Sequence, residues 1–341
     1  MRAAVARSRE HLEIERIPRI EPGPGEVRVR MRACGICGSD LHMFHHGLWP
    51  PGLTPGHEIT GEVDAVGDGV EGFSGGECVV VEPLRSCGDC RECRAGLDAI
   101  CREMEFLGIT CDGGLADYVT VPVRRLFPVP ADLDPALAAL AEPMAVAVHG
   151  LQRGALAEGQ RVLVLGAGSV GLLTVTAALA LGAGEVWISA RHPHQAELAA
   201  KLGAERVFTE LQASPGNLDR IGRESPIDLV VETVGGHADT MRSAVAAVRP
   251  GGAISVVGVF LGDVAFDALP VLLKETSLLW SNCYAHPRED ADFETAIRLV
   301  DEGREALAAV TTHAVPLGEI GKAFALASDK KVGAVKVTVF P

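Results

Sequence analysis

The sequence predicts an α/β protein in two parts, a β-rich domain that opens the chain and a doubly wound parallel sheet that follows it. Three observations predict this. The first 130 residues hold β-forming runs such as EVRVRMRAC and ECVVVEP, broken by PGPG, PPG, GDG and GG turns. From about Leu137 strands alternate with helices of ten to fifteen residues, the pattern of a parallel sheet with helical crossovers. Gly166, Gly168 and Gly171 stand where the first of these strands meets its helix. A chain of 341 residues with 48% hydrophobic and 22% charged residues is long and apolar enough for two packed cores.

The elements follow in order. After the β-rich segment with its long loops, PALAALAEPMAVAVHGL is Ala-rich and helical. RVLVLGAG is a short strand, SVGLLTVTAALALG a helix and EVWISA a strand. Helix PHQAELAAKLG, strand RVF and strand PIDLVVETVG come next. They lead into helix HADTMRSAVAAVRPGG, strand AISVVGV, a loop and helix to about Glu275, and strand SLLWSN. The last fifty residues mix helix DFETAIRLVDEG with strands THAVPL and AVKVTVF. No internal repeat or low-complexity linker interrupts them.

Composition excludes several classes of partner. With 31 Lys and Arg against 45 Asp and Glu the formal net charge is −14, and no basic cluster offers a nucleic-acid surface. The opening MRAAVARSREHLEIERIP has no apolar core of a secretory signal. Residues 162–184 carry no charge, but their five glycines fit a βαβ unit rather than a membrane span. A cytoplasmic protein is expected, with its nine cysteines reduced, since an odd number fits a disulfide framework badly.

VLVLGAGSVG has the G-x-G-x-x-G spacing in the strand–turn–helix context the motif needs. Gly166 permits the tight turn, Gly168 lets the backbone approach a pyrophosphate, and Gly171 lets helix and strand pack closely. Ser169 and Val170 lie between the last two glycines, at the helix N-terminus that faces the anion. An NAD-binding chain usually places an acid at the end of the second strand to bind the ribose 2′-OH. Here Ala190 stands there, followed by Arg191 and His192. An arginine suits a 2′-phosphate, so NADP(H) is expected over NAD(H).

Two sets of metal-type donors occur. Cys87, Cys90, Cys93 and Cys101 read C-x2-C-x2-C-x7-C, and two-residue spacers let a chain wrap sulfur around one ion. The last spacer is wrong for a ferredoxin-like cluster, so a structural zinc is expected, with unbound or redox thiols as the alternative. Cys37, His57 and Glu58 offer S, N and O to a second ion, and Glu142 is an acid in an apolar stretch, expensive unless paired or metal-bound. A Cys34–Cys37 redox pair and a purely structural His57 are the competing readings.

CGICGSDLH, GHEITGEV, the four-cysteine segment, AEPMAVAVHG, GAGSVG and PLGEIGKAFALA occur in one order along nearly the whole chain. In this the sequence resembles the zinc-dependent medium-chain dehydrogenase/reductase family, the alcohol and polyol dehydrogenases. The resemblance implies a GroES-like catalytic domain from residues 1–145 and 286–341 and a Rossmann domain over 146–285. It implies two zinc ions per chain, one catalytic and one structural. Cys37 and His57 match catalytic-zinc ligands, and Glu58 and Glu142 match acids that ligate directly or through water. Asp40 matches the acid that orients the histidine, Ser39 the hydroxyl of a proton relay, and His42 its outlet to solvent. The reaction implied is hydride transfer between an alcohol and the nicotinamide, with zinc acting as a Lewis acid on the reacting oxygen.

The segment MFHHGLW is expected to line the substrate pocket with Phe44, His46 and Trp49, with packing of the domain as the alternative. It resembles the sorbitol dehydrogenase branch but departs from it at Leu48 and Trp49. Glu142 favours a polyol, sugar or amino-alcohol substrate. An NAD-dependent threonine- or cyclitol-type dehydrogenase is the runner-up, and a non-catalytic dinucleotide-binding protein the reading from another class. The expected partners are a small alcohol or carbonyl substrate and further copies of the chain, as a homodimer or homotetramer, because SLLWSN would leave an apolar strand edge open.

Overall fold

Alternation of apolar and charged residues builds the long strand Glu26–Ile36, whose Val27, Val29, Met31 and Ala33 are buried while Arg30 and Arg32 point to solvent. In the computed structural model, which describes residues 1–285 and 291–341, this strand anchors a mixed sheet. The order is Thr311–Pro316, Lys336–Phe340, Glu26–Ile36, Glu58–Val66, Cys78–Val81 and Leu126–Pro128, with Tyr118–Pro122 also paired on Glu26–Ile36. The two ends of the chain therefore meet in one sheet: Val337 lies opposite Ile36 and Val339 opposite Cys34. Met31, Ile59, Val81, Leu115, Phe324 and Val339 belong to its core.

Contacts divide the chain into Met1–Glu142 with Ala285–Pro341, and Pro143–Tyr284. The boundary expected at residue 286 lies outside the described residues.

The second unit holds the parallel sheet. Its order is Arg206–Phe208, Glu185–Ser189, Arg161–Leu165, Ile227–Glu232, Val248–Val256 and Ser277–Trp280, every described pairing being parallel. This is the 3-2-1-4-5-6 winding, whose direction reverses between Arg161–Leu165 and Ile227–Glu232, where such sheets bind dinucleotides. Strands buried on both faces read as unbroken apolar runs, as Val162 to Leu165 do. The helix expected over HADTMRSAVAAVRPGG is shorter than its sequence pattern, Thr240–Ala247. Pro250 and two glycines cannot continue a helix, and the strand begins at Val248 with a register shift against Ile227.

At the glycine-rich turn the chain is crowded by its own backbone. Gly166 has φ of 102°, and a Cβ on Gly171 would sit 1.9 Å from the Gly166 carbonyl oxygen and 2.8 Å from Thr233 Oγ1. The Thr233 hydroxyl donates to the carbonyls of Leu165 and Gly166, and Gly166 N–H donates to Ser189 Oγ, so the turn is tied to both neighbouring strands. Gly171→Ala is expected to destabilise the fold by about 1–3 kcal/mol through this overpacking, read as a lower urea midpoint at unchanged slope.

Candidate active site and metal centres

Cys37 follows the long strand directly and caps the next helix, Gly38–His46. The cap is reciprocal: the Cys37 sulfur accepts from the Asp40 backbone N–H, and Asp40 Oδ2 accepts from the Cys37 N–H at 2.9 Å. Asp40 thus spends one carboxylate oxygen on the cap. Its other oxygen, Oδ1, lies 3.3 Å from His57 Nδ1, which leaves His57 Nε2 facing away, 3.4 Å from Ser39 Oγ. One buried acid fixes both the turn that carries the sulfur and the ring that carries the nitrogen, the usual arrangement behind a ligating histidine.

Strand pairing brings in the oxygen. Gly35 lies opposite Glu58, and a Cβ on Gly35 would fall 1.9 Å from Glu58 Oε2, so only glycine leaves room for the carboxylate. Ligand atoms of Cys37, His57 and Glu58 lie within 4.8 Å of one another. Glu142 stands outside that group. It is buried, and burial raises its carboxyl pKa to about 7, while His57 acts against the rise and Glu58 adds to it. Burial also opposes charge on His57, but Asp40 outweighs it and holds the imidazole well above its ordinary pKa.

Sequence reasoning missed the partner of Glu58. Lys336, buried in the last strand, reaches both carboxylate oxygens, at 2.5 and 2.6 Å, and the Ile36 carbonyl at 3.3 Å. Burial alone would depress the ammonium's pKa, but Glu58 and Cys37 carry it above the usual lysine range. The available signal was one charge inside the apolar run AVKVTVF.

The four cysteines also converge. Sγ atoms are separated by 3.4 Å for Cys90–Cys93, 3.6 Å for Cys87–Cys101 and 3.9 Å for Cys87–Cys93. These are far too long for disulfides. They match the separation of about 3.8 Å that four zinc–sulfur bonds of about 2.3 Å impose on a tetrahedron. Backbone N–H groups of Cys90, Cys93 and Cys87 point at the sulfurs of Cys87, Cys90 and Cys101 at 3.4–3.5 Å. Such donors lower Cys87 to about 7, while burial lifts Cys93 to about 12, so these two thiols do not ionise together without a cation. Among the described residues these are the two groups of metal-type donors, and both donor sets suit zinc.

The remaining expected residues are placed as follows. Gly168 caps helix Ser169–Ala180, with Ser169 and Val170 in its first turn. Arg191 is exposed and pairs with Glu210 at 3.5 Å, an acid that the sequence reading did not foresee beside it. His192 caps helix Pro193–Lys201 and stacks on His194. His42 stacks on the exposed His46 at 6.5 Å. The pocket expected from MFHHGLW is corrected in part. Trp49 is buried in the domain core with its Nε1–H donated to the Gly108 carbonyl at 2.8 Å, and Phe44 packs on Phe324 at 4.8 Å. Among the described residues no helix is long and apolar enough to cross a membrane.

A sheet built from both chain ends, a doubly wound dinucleotide sheet and two zinc-type donor sets define a zinc-dependent dehydrogenase architecture. The family comparisons agree: residues 23–131 match the alcohol dehydrogenase GroES-like domain, and residues 169–302 match the zinc-binding dehydrogenase domain. The chain belongs to the zinc-dependent medium-chain dehydrogenase/reductase family. It is 36% identical to the 2-dehydro-3-deoxy-L-galactonate 5-dehydrogenase of Pseudoalteromonas atlantica, over 90% of this chain and 89% of that one. It superposes on the crystal structure of galactitol-1-phosphate dehydrogenase from Escherichia coli with a TM-score of 0.92 at 30% identity, covering 100% of both chains. A zinc-binding dehydrogenase structure from Sinorhizobium meliloti 1021 bound to NADP matches with a TM-score of 0.88 at 31% identity, over 100% of this chain and 99% of that one.

Two outcomes are expected. In metal-free protein Glu142 keeps a proton that the unfolded chain releases near pH 4.5. Native stability therefore falls as pH rises from about 4.5 to about 7, by up to about 3 kcal/mol, and Glu142→Gln flattens that slope in urea titrations at several pH values. Lys336→Met leaves Glu58 buried without its counter-charge and lowers metal-free stability by about 3–5 kcal/mol in the same assay.

Proposed function

We propose that this protein is a zinc-dependent dehydrogenase that transfers a hydride between a secondary alcohol on a polyol or sugar-derived chain and NADP(H). The observation that carries the reading is the convergence of Cys37, His57 and Glu58 in front of Asp40, in a chain that also holds the dinucleotide turn. Cys37 and His57 would hold the catalytic cation together with Glu58 or Glu142, and Cys87, Cys90, Cys93 and Cys101 the structural one. When bound, the catalytic zinc supplies Lewis acidity toward an alcohol or carbonyl oxygen, and the nicotinamide accepts or returns the hydride. Asp40 holds the Nδ1 side of His57, so Nε2 would be the nitrogen left to hold a cation. Ser39 would receive the hydroxyl proton as it gives up its own, which His42 would pass to solvent. Gly166, Gly168 and Gly171, with Ser169 and Val170, receive the pyrophosphate at the helix N-terminus.

The substrate class draws support from the relatives, two of which are named for polyhydroxylated substrates that carry an acid or a phosphate. NADP(H) draws support from Arg191 and His192 beyond a strand end that carries Ala190 and no acid. Glu210 beside Arg191 is what favours the runner-up, an NAD-dependent enzyme. A second copy of the chain is the proposed partner. Strand Ser277–Trp280 lies at the edge of its sheet, with Trp280, Leu272 and Leu273 each more than half exposed nearby.

Initial rates on a panel of polyols, sugar acids and sugar phosphates test the reading. Turnover is expected to vanish on chelation and return with zinc, and turnover that survives complete metal removal overturns the proposal. Arg191→Asp is expected to lower kcat/KM with NADP at least about tenfold relative to NAD, and an unchanged ratio removes Arg191 from cofactor choice. Light scattering is expected to give a dimer or tetramer mass that Leu273→Glu reduces.

A further inference from the structure

Arg125 is a buried cation that the proposed chemistry does not use. Its Nη1 donates to Glu82 Oε2 at 2.7 Å, and its Nη2 donates to Asp98 Oδ2 at 2.8 Å and to Ser86 Oγ. Its carbonyl accepts from the Glu82 N–H at 2.9 Å. Arg124 Nη2 donates to the Ser86 carbonyl at 2.7 Å.

The positions of these partners in the chain matter. Glu82 follows strand Cys78–Val81, so it belongs to the sheet. Ser86 immediately precedes Cys87. Asp98 opens the short 3₁₀ turn Asp98–Ile100 that delivers Cys101, and its carbonyl accepts from the Cys101 N–H at 3.0 Å. One guanidinium therefore touches the sheet and both stems of the four-cysteine lobe. The lobe has little apolar burial to order it: from Cys87 to Cys101 only Ala99 and Cys101 are buried, and Leu97 and Ile100 point to solvent.

We propose that Arg125 is a positioning residue for the lobe's metal, clasping the two stems so that the first and last sulfurs stay within bonding reach of one cation. This rests on the reading of the lobe as a metal site. Closing a loop of this length has an entropic cost, and the clasp removes part of that cost before the metal arrives. The planar fork is what allows it, because a guanidinium reaches two carboxylates and a hydroxyl from fixed directions while a lysine ammonium is a single flexible point. Without the guanidinium, Asp98 and Ser86 lose the group that holds them together, and two acids, Glu82 and Asp98, are left without the cation they share.

The test follows zinc release to a chromogenic chelator, with metal content measured beforehand, in a Cys37→Ala parent whose remaining zinc is the lobe's. Arg125→Met and Asp98→Asn are expected to release that zinc about tenfold to a hundredfold faster than the parent, the usual effect of removing a supporting group behind a ligand. Arg125→Lys is expected to recover only part of the loss. If Arg125→Met fails to fold by circular dichroism, Asp98→Asn decides, since it leaves the Glu82–Arg125 pair intact. Folded variants that release zinc at the parent's rate overturn the clasp. A parent that binds no zinc overturns the metal reading of the lobe itself.

Discussion

Negative charge buried at one place, with the few cations set against it, is the constraint around which the first unit is arranged. Asp40, Glu58 and Glu142 are all out of solvent, the Cys37 sulfur lies beside Asp40, Lys336 and His57 pair with Glu58 and Asp40, and Lys330 acts on Cys37 from nearby. Water cannot solvate these groups, so His57 beside Asp40 and Lys336 on Glu58 carry the compensation. Glu142 shows the result, since without a further cation its carboxyl holds a proton close to neutral pH. A divalent ion bound there would favour the ionised carboxylate.

The backbone carries that charge through ordinary devices. A capping exchange sets Cys37, the free oxygen of the same acid sets His57, and a glycine opposite Glu58 clears the space its carboxylate fills. The cysteine lobe follows the opposite strategy. It buries few side chains, and a buried guanidinium, Arg125, joins its stems to the sheet. The dinucleotide turn needs neither charge nor metal for its shape. Steric exclusion around Gly166 and Gly171 leaves one path for the chain.

Local features were the legible ones. The spacing of Cys87, Cys90, Cys93 and Cys101, the three glycines after RVLVL, and the change from β-forming runs to alternating strands and helices all act over short stretches, where sequence pattern and physics coincide. Cys37, His57 and Glu58 were legible as candidates, but their convergence depends on strand register. What escaped depends on pairs distant in the chain: Lys336 with Glu58 across 278 residues, and Arg125 with Glu82 across 43. Trp49 looked like a pocket residue because aromatic side chains beside a ligand motif invite that reading, and nothing local reveals a hydrogen bond to the Gly108 carbonyl. Glu210 escaped because it approaches Arg191 from the loop beyond the next strand.

The strand that carries Lys336 is made late. Between Glu58 and its counter-ion the ribosome must deliver 278 residues, the whole of Pro143–Tyr284 among them, which at about 5–20 residues per second takes roughly 15–60 s. Through that interval the emerging N-terminal sheet lacks one of the strands that pair with Glu26–Ile36, and its buried glutamate has no Lys336. The nascent chain must therefore keep this half-built layer open or shielded, whereas the parallel sheet, encoded without a break, is free to collapse as soon as it leaves the exit tunnel.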